Sequence, residues 1–561
     1  MKNTSKLSLQ QLLLTFALLF LFNLIGNKYF HRFDLTQDKR YTLSATSLTI
    51  VKEIEEPLYV DVYLEGDFPG EFKKLQTETQ QLLEEFKAHN SNIIFQFTNP
   101  LENDDKSMGK AKELVGKGLT PISITVDDKG KQSQEMVFPW AIVRYNNKEV
   151  KIPLLKNMMG ASTEQKVISS VQHLEYAFAN GLNTVSKIKQ KKVAILKGNK
   201  ELPDIYMADF IKQVRENYFI GPFTLDSVAK KPKETLLALK KYDLTIIAKP
   251  QEKFSDEEKQ VLDQYLLNGG KVIWLVDQVH AEMDSLTHSG STLAYPNDLN
   301  LNDFFFKYGL RITSELIKDE YAIPIKLASG EQGSNTSYQQ YLWKFSPFVY
   351  PESSHPIVKN MEGIKFEFAN PIEVLKNPTK KTILLRSSQN SRTIGAPVEI
   401  NLNMVQQKSN MSEYVNKGSI PVAVLVEGNF KSVYQNRILP FVDPTFLNES
   451  SKASKMIYIA DGDVVKNQLD KDGMPLELGF DKWTNNLYGN KEFMMNCVNY
   501  LLDDNGLINI RSKEVNLPIL DKEKVYQNYS KTQIITVGMP LMLLLIFGLV
   551  FTYIRKKTYS K

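Results

Sequence analysis

Two long apolar runs lie near the two ends of the chain. The first extends from roughly Leu9 to Gly26 with four polar interruptions, and the second, from Ile534 to Ile554, carries no charge over its 21 residues. At about 1.5 Å per residue, both can cross the hydrocarbon core of a bilayer, so we predict two membrane helices. The first run could instead be a cleaved signal peptide, but no small-x-small cleavage motif follows it, which favours an uncleaved anchor.

Basic residues beside the second run indicate the topology. Arg555, Lys556, Lys557 and Lys561 follow it directly, and such clusters stay preferentially on the cytoplasmic side. Basic residues flank the first run on both sides, so that run gives no orientation. With two spans, the C-terminal cluster predicts that both termini are cytoplasmic and that about 500 residues lie outside the cytoplasm.

The pattern after the first run predicts an α/β domain. Residues 57–66 and 92–100 have the alternation of strands, and residues 71–90 have the period of an amphipathic helix. A short helix and two further strands, ISITVDD and MVFPWAIVRY, complete the order β-α-β-α-β-β. This is the order of a thioredoxin-like domain. No CxxC motif accompanies it, which excludes thiol redox chemistry.

A second α/β domain is predicted after a long helix. That helix starts at Ser162, where Ser162 and Gln165 have the spacing of a capping box. Residues 242–277 have the pattern strand, helix, strand, which predicts two parallel strands joined by a right-handed crossover. Ser255 and Glu258 have the spacing of a capping box at the start of the helix between them. Residues from about 320 to 415 contain short strand-like pieces with Asn- and Ser-rich connections, and we interpret them as a β-rich insertion.

These patterns divide the chain into six predicted parts. They are an N-terminal membrane anchor (1–30), a thioredoxin-like domain (31–160), a connecting helix (161–190), a second α/β domain (191–510), a membrane-proximal stalk (511–532), and a C-terminal membrane helix with a basic tail (533–561).

Composition and charge exclude several classes of protein. A chain of 561 residues is too long for one hydrophobic core. The formal net charge of +5 is small for this length, so no nucleic-acid surface is indicated. The single cysteine, Cys497, excludes an internal disulfide and a cysteine-rich zinc site.

The usual catalytic motifs are absent from the sequence. GxxxxGK[ST] does not occur, so ATP hydrolysis must belong to another chain. Cys497 lies inside a predicted apolar helix and not at a strand-to-helix turn, which favours core packing over a nucleophile. GxSxG and HExxH are also absent. We therefore expect no catalytic residues, no cofactor and no metal.

Carboxylates after two predicted strands form the clearest candidate ligand site. Asp277 and His280, with Glu282 and Asp284 nearby, follow one strand, and Asp461 and Asp463 follow another; the possible ligand residues are Asp277, His280, Asp461 and Asp463. Ligands of open parallel sheets bind beyond the carboxyl ends of strands, and Ca²⁺ or Mg²⁺ would suit these oxygens. The alternative is structural, because aspartates also cap helices and terminate strands.

An aromatic run, Phe304, Phe305, Phe306 and Tyr308, allows two interpretations. Exposed rings could stack on a glycan, whereas buried rings would belong to the core. The core interpretation is favoured, because stacking on a glycan would need exposed rings.

The segment RFDLTQDKRYTLS (32–44) carries ordered-looking apolar residues among charges. It begins where the first helix would leave the bilayer, so its basic residues can meet lipid headgroups. We predict a membrane-proximal or partner contact formed by Arg32, Asp34, Leu35, Tyr41 and Leu43. The alternative is an ordered linker with a helix cap at Ser44.

Four segments, with the flanking apolar runs, resemble the gliding-motility-associated ABC transporter auxiliary proteins of the GldG family, which are substrate-binding-like. The segments are RFDLTQDKRYTLS, LNDFFFKYGLRITSELIKD, IADGDVVKN and NKEFMMNCVNYLLDD. The resemblance implies a non-catalytic accessory subunit in the inner membrane of Bacteroidota-type bacteria, with most of the chain periplasmic. It also implies a polytopic ABC permease and a separate ATPase as partners. The central domain would resemble a class I glutamine-amidotransferase-like or Rossmann-like fold.

Two other functions remain open from the sequence. A periplasmic solute- or glycan-binding receptor tethered to the inner membrane is one, although such receptors usually move on a single tether. A degenerate or unrecognised enzyme of the amidotransferase-like fold is the other.

Overall fold

The computed structural model divides the chain into two compact units, Met1–Lys513 and Glu514–Lys561. The residues that it describes are 12–23, 34, 36, 39–66, 68–101, 104–128, 131–329, 337–513 and 522–559.

The first part of the larger unit is a small α/β region. Its elements are α1 (Leu12–Asn23), α2 (Ala45–Lys52), β1 (Leu58–Val62), α3 (Gly70–His89), β2 (Ile93–Phe97), α4 (Asp104–Gly116), β3 (Ile122–Asp128), β4 (Lys131–Val137), β5 (Trp140–Tyr145), β6 (Lys148–Pro153) and α5 (Thr163–Ser186). Four strands form a sheet of order β2-β1-β5-β6, in which only β1 and β2 are parallel.

The strands of this sheet differ in part from those predicted. The segment ISITVDD is a strand, β3, but it pairs with β4 in a separate hairpin and not with the sheet. MVFPWAIVRY is divided between β4 and β5, and the fourth strand of the sheet is β6, which the alternation had not indicated. The pattern located strand-forming segments, but it missed β6 and carried no information about which strand pairs with which.

Helix α5 begins as the capping box predicts. The Gln165 amide donates to Ser162 Oγ at 3.2 Å, and the Ser162 amide donates to Gln165 Oε1 at 2.9 Å. The apolar stripe of the helix is buried, and the helix packs on α2, α3 and β6. Helix α5 therefore packs both on α2, near the start of this region, and on the first sheet.

The second part of the larger unit is built on a seven-stranded sheet. Its elements are β7 (Lys192–Lys197), α6 (Ala208–Asn217), β8 (Phe219–Thr224), α7 (Pro232–Leu239), β9 (Leu244–Ala248), α8 (Asp256–Leu267), β10 (Lys271–Leu275), β11 (Val279–His280), α9 (Met283–Ser289), β12 (Ser291–Pro296), α10 (Asn302–Lys307), β13 (Leu310–Ile312), β14 (Glu315–Asp319), β15 (Ala322–Ser329), β16 (Ser337–Val349), β17 (Ile364–Lys365), β18 (Ile372–Val374), β19 (Lys380–Arg386), β20 (Ser391–Gly395), β21 (Val398–Asn401), β22 (Pro421–Gly428), β23 (Ser454–Ile459), β24 (Phe480–Asp481), β25 (Asn486–Leu487) and α11 (Asn490–Leu502).

The order of this sheet is β19-β22-β23-β10-β9-β7-β8. The five strands from β23 to β8 are parallel, whereas β22 and β19 add antiparallel strands at one edge. The predicted parallel pair, β9 and β10, is confirmed, and so is the Ser255–Glu258 capping box of α8 between them. Strand β19 comes from the predicted insertion but belongs to the main sheet.

Two hydrophobic cores cover the two faces of the seven-stranded sheet. One is formed with α6 and α11 and the other with α7, α8 and α10. Cys497 is fully buried in the first, as its place in an apolar helix predicted. In the second, Phe304, Phe305 and Tyr308 are buried, which confirms the core interpretation for these rings; Phe306 is exposed.

The glycine pair after α8 has a local reason. Gly269 has φ +94°, which a residue with a side chain rarely adopts. A Cβ at Gly270 would lie 2.4 Å from the Tyr265 ring. The helix can therefore end and β10 begin directly against its own last turn.

The smaller unit is described from α12 (Lys522–Gln527) through α13 (Tyr529–Gln533) and a π-helical turn to α14 (Met539–Tyr559). Within the described residues, the continuous helix Tyr529–Tyr559 is the one that is long and apolar enough to cross a membrane, by length and composition. Helix α1 is a shorter apolar helix, and the outer parts of the predicted first span lie outside the described residues.

Candidate functional site

Asp34 organises the start of the membrane-proximal segment. Its carboxylate accepts hydrogen bonds from the Thr36 amide and hydroxyl at 2.9 and 2.5 Å, from the Tyr41 amide at 2.9 Å and from the Thr42 hydroxyl at 3.1 Å. Burial alone would raise the pKa of Asp34, but these donors lower it below its ordinary value. The segment is therefore folded on itself around one carboxylate. Arg32 and Leu35, also predicted here, lie outside the described residues.

The second half of the segment packs on the body. Leu43 is buried, and Tyr41 is half-buried with the Arg40 guanidinium 5.7 Å from the centre of its ring. Arg40 also forms an ion pair with Glu78 of α3 at 4.0 Å. These contacts show that the segment is docked on protein.

Ser44 caps α2, as the alternative interpretation of the segment predicted. Its hydroxyl accepts from the Ser47 amide at 3.2 Å. The Ser44 amide donates in turn to Glu175 Oε1 of α5 at 2.7 Å, and the Ser47 hydroxyl donates to the same oxygen at 2.8 Å. The cap thus does more than end a linker, because it fastens the entering chain to α5.

Lys513, the last residue of the larger unit, completes this site. Its ammonium donates to Glu175 Oε2 at 2.8 Å and to the Thr42 carbonyl at 2.8 Å. One buried carboxylate therefore binds Ser44 and Ser47 with one oxygen and Lys513, at the end of the larger unit, with the other. We call Thr42, Ser44, Ser47, Glu175 and Lys513 the Glu175 junction.

The charge of Glu175 is stabilised at this position. Burial alone would raise the pKa of Glu175, but Lys513, the Ser44 amide and the Ser47 hydroxyl together lower it below its ordinary value. The side chain is therefore ionised at neutral pH, and the ion pair to Lys513 is present under physiological conditions.

A second ionic group contacts α5 at His173 and Tyr176, which lie two residues before and one residue after Glu175. Arg511 is buried, donates to Glu492 at 2.8 Å and lies 5.2 Å from the centre of the Tyr176 ring. Its guanidinium also contacts His173 Nδ1 at 3.3 Å, and Lys156 pairs with the same Glu492 at 2.9 Å. Residues 511–513 are thus part of the larger unit, although the sequence pattern assigned them to a stalk.

The predicted carboxylate site is brought together at the carboxyl edge of the seven-stranded sheet, but around a lysine. Lys249, directly after β9, is buried, and its ammonium lies 2.6 Å from Asp463, 2.9 Å from Glu282 and 3.4 Å from Asp277. The ammonium occupies the position among these oxygens that a bound cation would take. Within the described residues, no group of three or more His, Cys, Asp and Glu side chains has an arrangement that could hold a metal ion.

Backbone donors bind further oxygens of Asp277 and Asp461. Asp277 accepts from the Gly462 amide at 2.5 Å, and Asp461 accepts from the amides of Glu367 and Asp463 at 2.6 and 2.7 Å. A Cβ at Gly462 would lie 2.5 Å from Lys249 Cβ, so the loop approaches the lysine as closely as it can.

Burial and neighbouring charges shift the pKa values of the groups in this cluster in different directions. Burial alone would lower the pKa of Lys249, but the three carboxylates raise it well above its ordinary value. Burial and the neighbouring aspartates raise the pKa of Asp461, whereas Lys249 and Lys466 outweigh burial and lower that of Asp463. The arrangement is that of an ion cluster that joins three strand ends, which favours the structural alternative.

His280 and Asp284 are not part of the cluster. His280 lies in β11 with its ring 4.9 Å from that of Tyr295, and Asp284 is exposed in the first turn of α9. Both follow β10 closely in sequence, but the residues of this stretch that pair with Lys249 are Asp277 and Glu282.

Sequence reasoning missed the residues that hold both sites together. Lys249 could have been found, because it follows a fully buried strand that neighbours β10, the strand before Asp277. Glu175 and Lys513 had no such signal, since they lie 338 residues apart in sequence.

Two solved structures are similar to this chain at low TM-scores. The mmIFT52 N-terminal domain is 14% identical, with 58% of this chain and 100% of that chain covered and a TM-score of 0.31. A ThuA-like protein from Parabacteroides merdae is 9% identical, with 60% and 94% covered and a TM-score of 0.27. At these scores neither supports a conclusion about fold or function.

A relative from Borreliella burgdorferi aligns along almost the whole chain. It is 22% identical over 535 residues, covers 94% of both chains and is described as an uncharacterized protein. Residues 37–144 match a domain of unknown function. Residues 190–497, more than half of the chain, match the auxiliary family described as ABC-type uncharacterized transport system. The chain belongs to this family of ABC transporter auxiliary components.

Proposed function

We propose that this chain is a non-catalytic, membrane-anchored accessory subunit of an ABC transporter complex linked to gliding motility. In this proposal a large periplasmic domain contacts a polytopic permease, a separate subunit hydrolyses ATP, and both termini are cytoplasmic at the inner membrane. Membership in the auxiliary family supports the transport role. The observation that carries the proposal is the Glu175 junction.

The junction suits a subunit that is held at both ends. The segment around Ser44 and the segment that ends at Lys513 meet on the two oxygens of one carboxylate. A displacement of either segment would therefore reach α5 directly. Helix α5 packs on β5 and β6 of the first sheet and on the residues before Lys513, so it can transmit such a displacement to the body.

The proposal includes two domain folds. For residues 31–160, the sheet order β2-β1-β5-β6 with one parallel pair supports a thioredoxin-like domain. For residues 191–510, five parallel strands with helices on both faces support a Rossmann-like or amidotransferase-like domain.

The direct test is purification of the full-length chain from native membranes in mild detergent, followed by identification of what remains bound. We expect a polytopic permease and an ATPase in fixed ratio to this chain. An unrelated membrane protein with the same tag controls for carry-over. Recovery of this chain alone, at native expression, would contradict the proposal.

A second candidate, a solute- or glycan-binding receptor, has one supporting observation. A cavity of about 160 Å³ lies between α5 and the residues around α11, and amide and hydroxyl side chains line much of it. They include Asn180, Asn183, Asn217 and Asn499, and the buried Asn183 Oδ1 has no hydrogen-bond partner among the described residues. Such groups suit sugar hydroxyls. A rise in melting temperature with a panel of mono- and disaccharides would favour this candidate, and no shift at millimolar concentrations would remove it.

A further inference from the structure

Two cations lie opposite each other on neighbouring strands of the β-rich region. Lys318 of β14 is paired directly with Arg392 of β20 in an antiparallel ladder. Side chains of such a pair point to the same face with Cβ atoms about 5 Å apart, and like charges there repel each other. Lys344 of β16 adds a third positive charge, since β16 packs on β14 and its charge acts on Lys318.

The carboxylates nearby are already engaged by the other two cations. Glu320 pairs with Lys344 at 3.0 Å, and Glu413 pairs with Arg392 at 3.0 Å. Within the part of the chain that the structure describes, Lys318 forms no ion pair and donates no hydrogen bond. Three cations thus share two carboxylates, and Lys318 is the surplus one.

Arg392 also has an unused donor at this position. Its guanidinium lies 5.5 Å from the centre of the Tyr414 ring, and its terminal nitrogen binds Glu413. The Nε–H group is buried and has no acceptor among the described residues. A buried donor without a partner is unusual in folded proteins and needs an explanation.

Burial and the neighbouring cations both disfavour the charged form of Lys318. Burial lowers the pKa of Lys318 below its ordinary value, and Arg392 and Lys344 lower it further, while Glu320 and Glu413 oppose them. The site therefore disfavours its own positive charge when nothing else is bound. An added anion would reverse this.

We propose that Lys318 and Arg392 form a binding site for a small oxyanion, either free phosphate or the anionic group of a larger molecule such as a glycan uronate. The oxyanion would accept from the Lys318 ammonium and from Arg392 Nε–H, for which the described residues offer no acceptor. Charge-assisted hydrogen bonds from a lysine and a guanidinium are the usual means of holding such groups. The site lies apart from the Glu175 junction and does not depend on the proposed transport role.

Calorimetric titration of the full-length protein in detergent tests this site. Inorganic phosphate and glucuronate are titrated separately at constant ionic strength, which distinguishes a free ion from a sugar carboxylate. We expect saturable binding of at least one. Lys318→Met should weaken it by about tenfold or more, and Arg392→Lys, which keeps the charge but loses the Nε donor, should weaken it as well. Lys326→Met, an exposed lysine on the neighbouring β15, is the matched control and should bind as the wild type does.

Thermal unfolding shows whether a variant that fails to bind is still folded. Without ligand, Lys318→Met should melt at the wild-type temperature or above, because it removes a like-charge repulsion. Absence of saturable binding to the wild-type protein would overturn the proposal. So would equal binding by the wild type and by a folded Lys318→Met variant.

Discussion

Glu175 shows how one side chain can connect distant parts of the chain. Its two oxygens receive donors from residues that lie 131 and 338 positions away in sequence. A partly buried carboxylate with a lysine and a backbone amide as partners costs much less than an isolated charge. Removal of one partner leaves the other charge without compensation, which makes the ion pair testable.

A double-mutant cycle measures this coupling. Glu175→Gln keeps an acceptor for Ser44 and Ser47 but loses the charge opposite Lys513, so we expect a loss of about 1–3 kcal/mol in the free energy of unfolding. Lys513→Met should cost a similar amount, and the double variant should cost less than the sum. Glu164→Gln, in the first turn of the same helix, is the control. Additive losses would show that Glu175 and Lys513 do not interact.

The pH dependence of stability tests the second ionic group. Burial lowers the pKa of His173 well below its ordinary value, and Lys156 and Arg511 lower it further. The unfolded chain therefore binds a proton at His173 near pH 6.5, whereas the folded chain does not. The free energy of unfolding therefore falls as the pH drops below that value. The slope for this group is at most about 1.4 kcal/mol per pH unit.

His173→Gln isolates that contribution from the carboxylates that titrate in the same range. Chemical unfolding of the wild type and of the variant between pH 7.5 and 5.5 should show a smaller loss of stability for the variant. His288→Gln, at an exposed position in α9, should follow the wild type. Parallel curves for wild type and His173→Gln would contradict the buried, neutral histidine.

At the scale of elements, the sequence predicted the features that depend on residues close together along the chain. Both capping boxes are found where residue spacing placed them, and the parallel pair β9 and β10 is found where periodicity placed it. Pairing that depends on distant residues was not predictable from local patterns. The pairing of β3 with β4 in a hairpin and the position of β19 at the sheet edge depend on the surfaces that distant parts of the fold leave for them to cover. The carboxylates were expected at the strand ends, but the lysine among them was not.

Lys249→Met tests whether the cluster at the sheet edge is a structural ion group. The substitution leaves Asp277, Glu282 and Asp463 without the ammonium that compensates them, so we expect a loss of about 3–5 kcal/mol in the free energy of unfolding. Lys241→Met, an exposed lysine before β9, should change it little. A Lys249→Met protein as stable as the wild type would favour a site adapted to an external cation.

For the whole molecule, the larger unit unites two α/β regions through α5 and through the chain segments that meet on it. The order of elements indicated two sheets, and the apolar runs indicated two anchors. No periodicity or motif indicated that both connecting segments would meet at one carboxylate. That fact arises from tertiary structure, and it gives the accessory-subunit proposal its physical basis.

Hydrogen–deuterium exchange of the full-length protein in detergent, comparing the wild type with Glu175→Ala, tests the junction most directly. The account predicts that amides of residues 42–52 and of residues 505–513 exchange faster together in the variant, while β9 stays protected. Faster exchange in only one of the two segments, or in neither, would contradict the claim that Glu175 joins the two ends of the body.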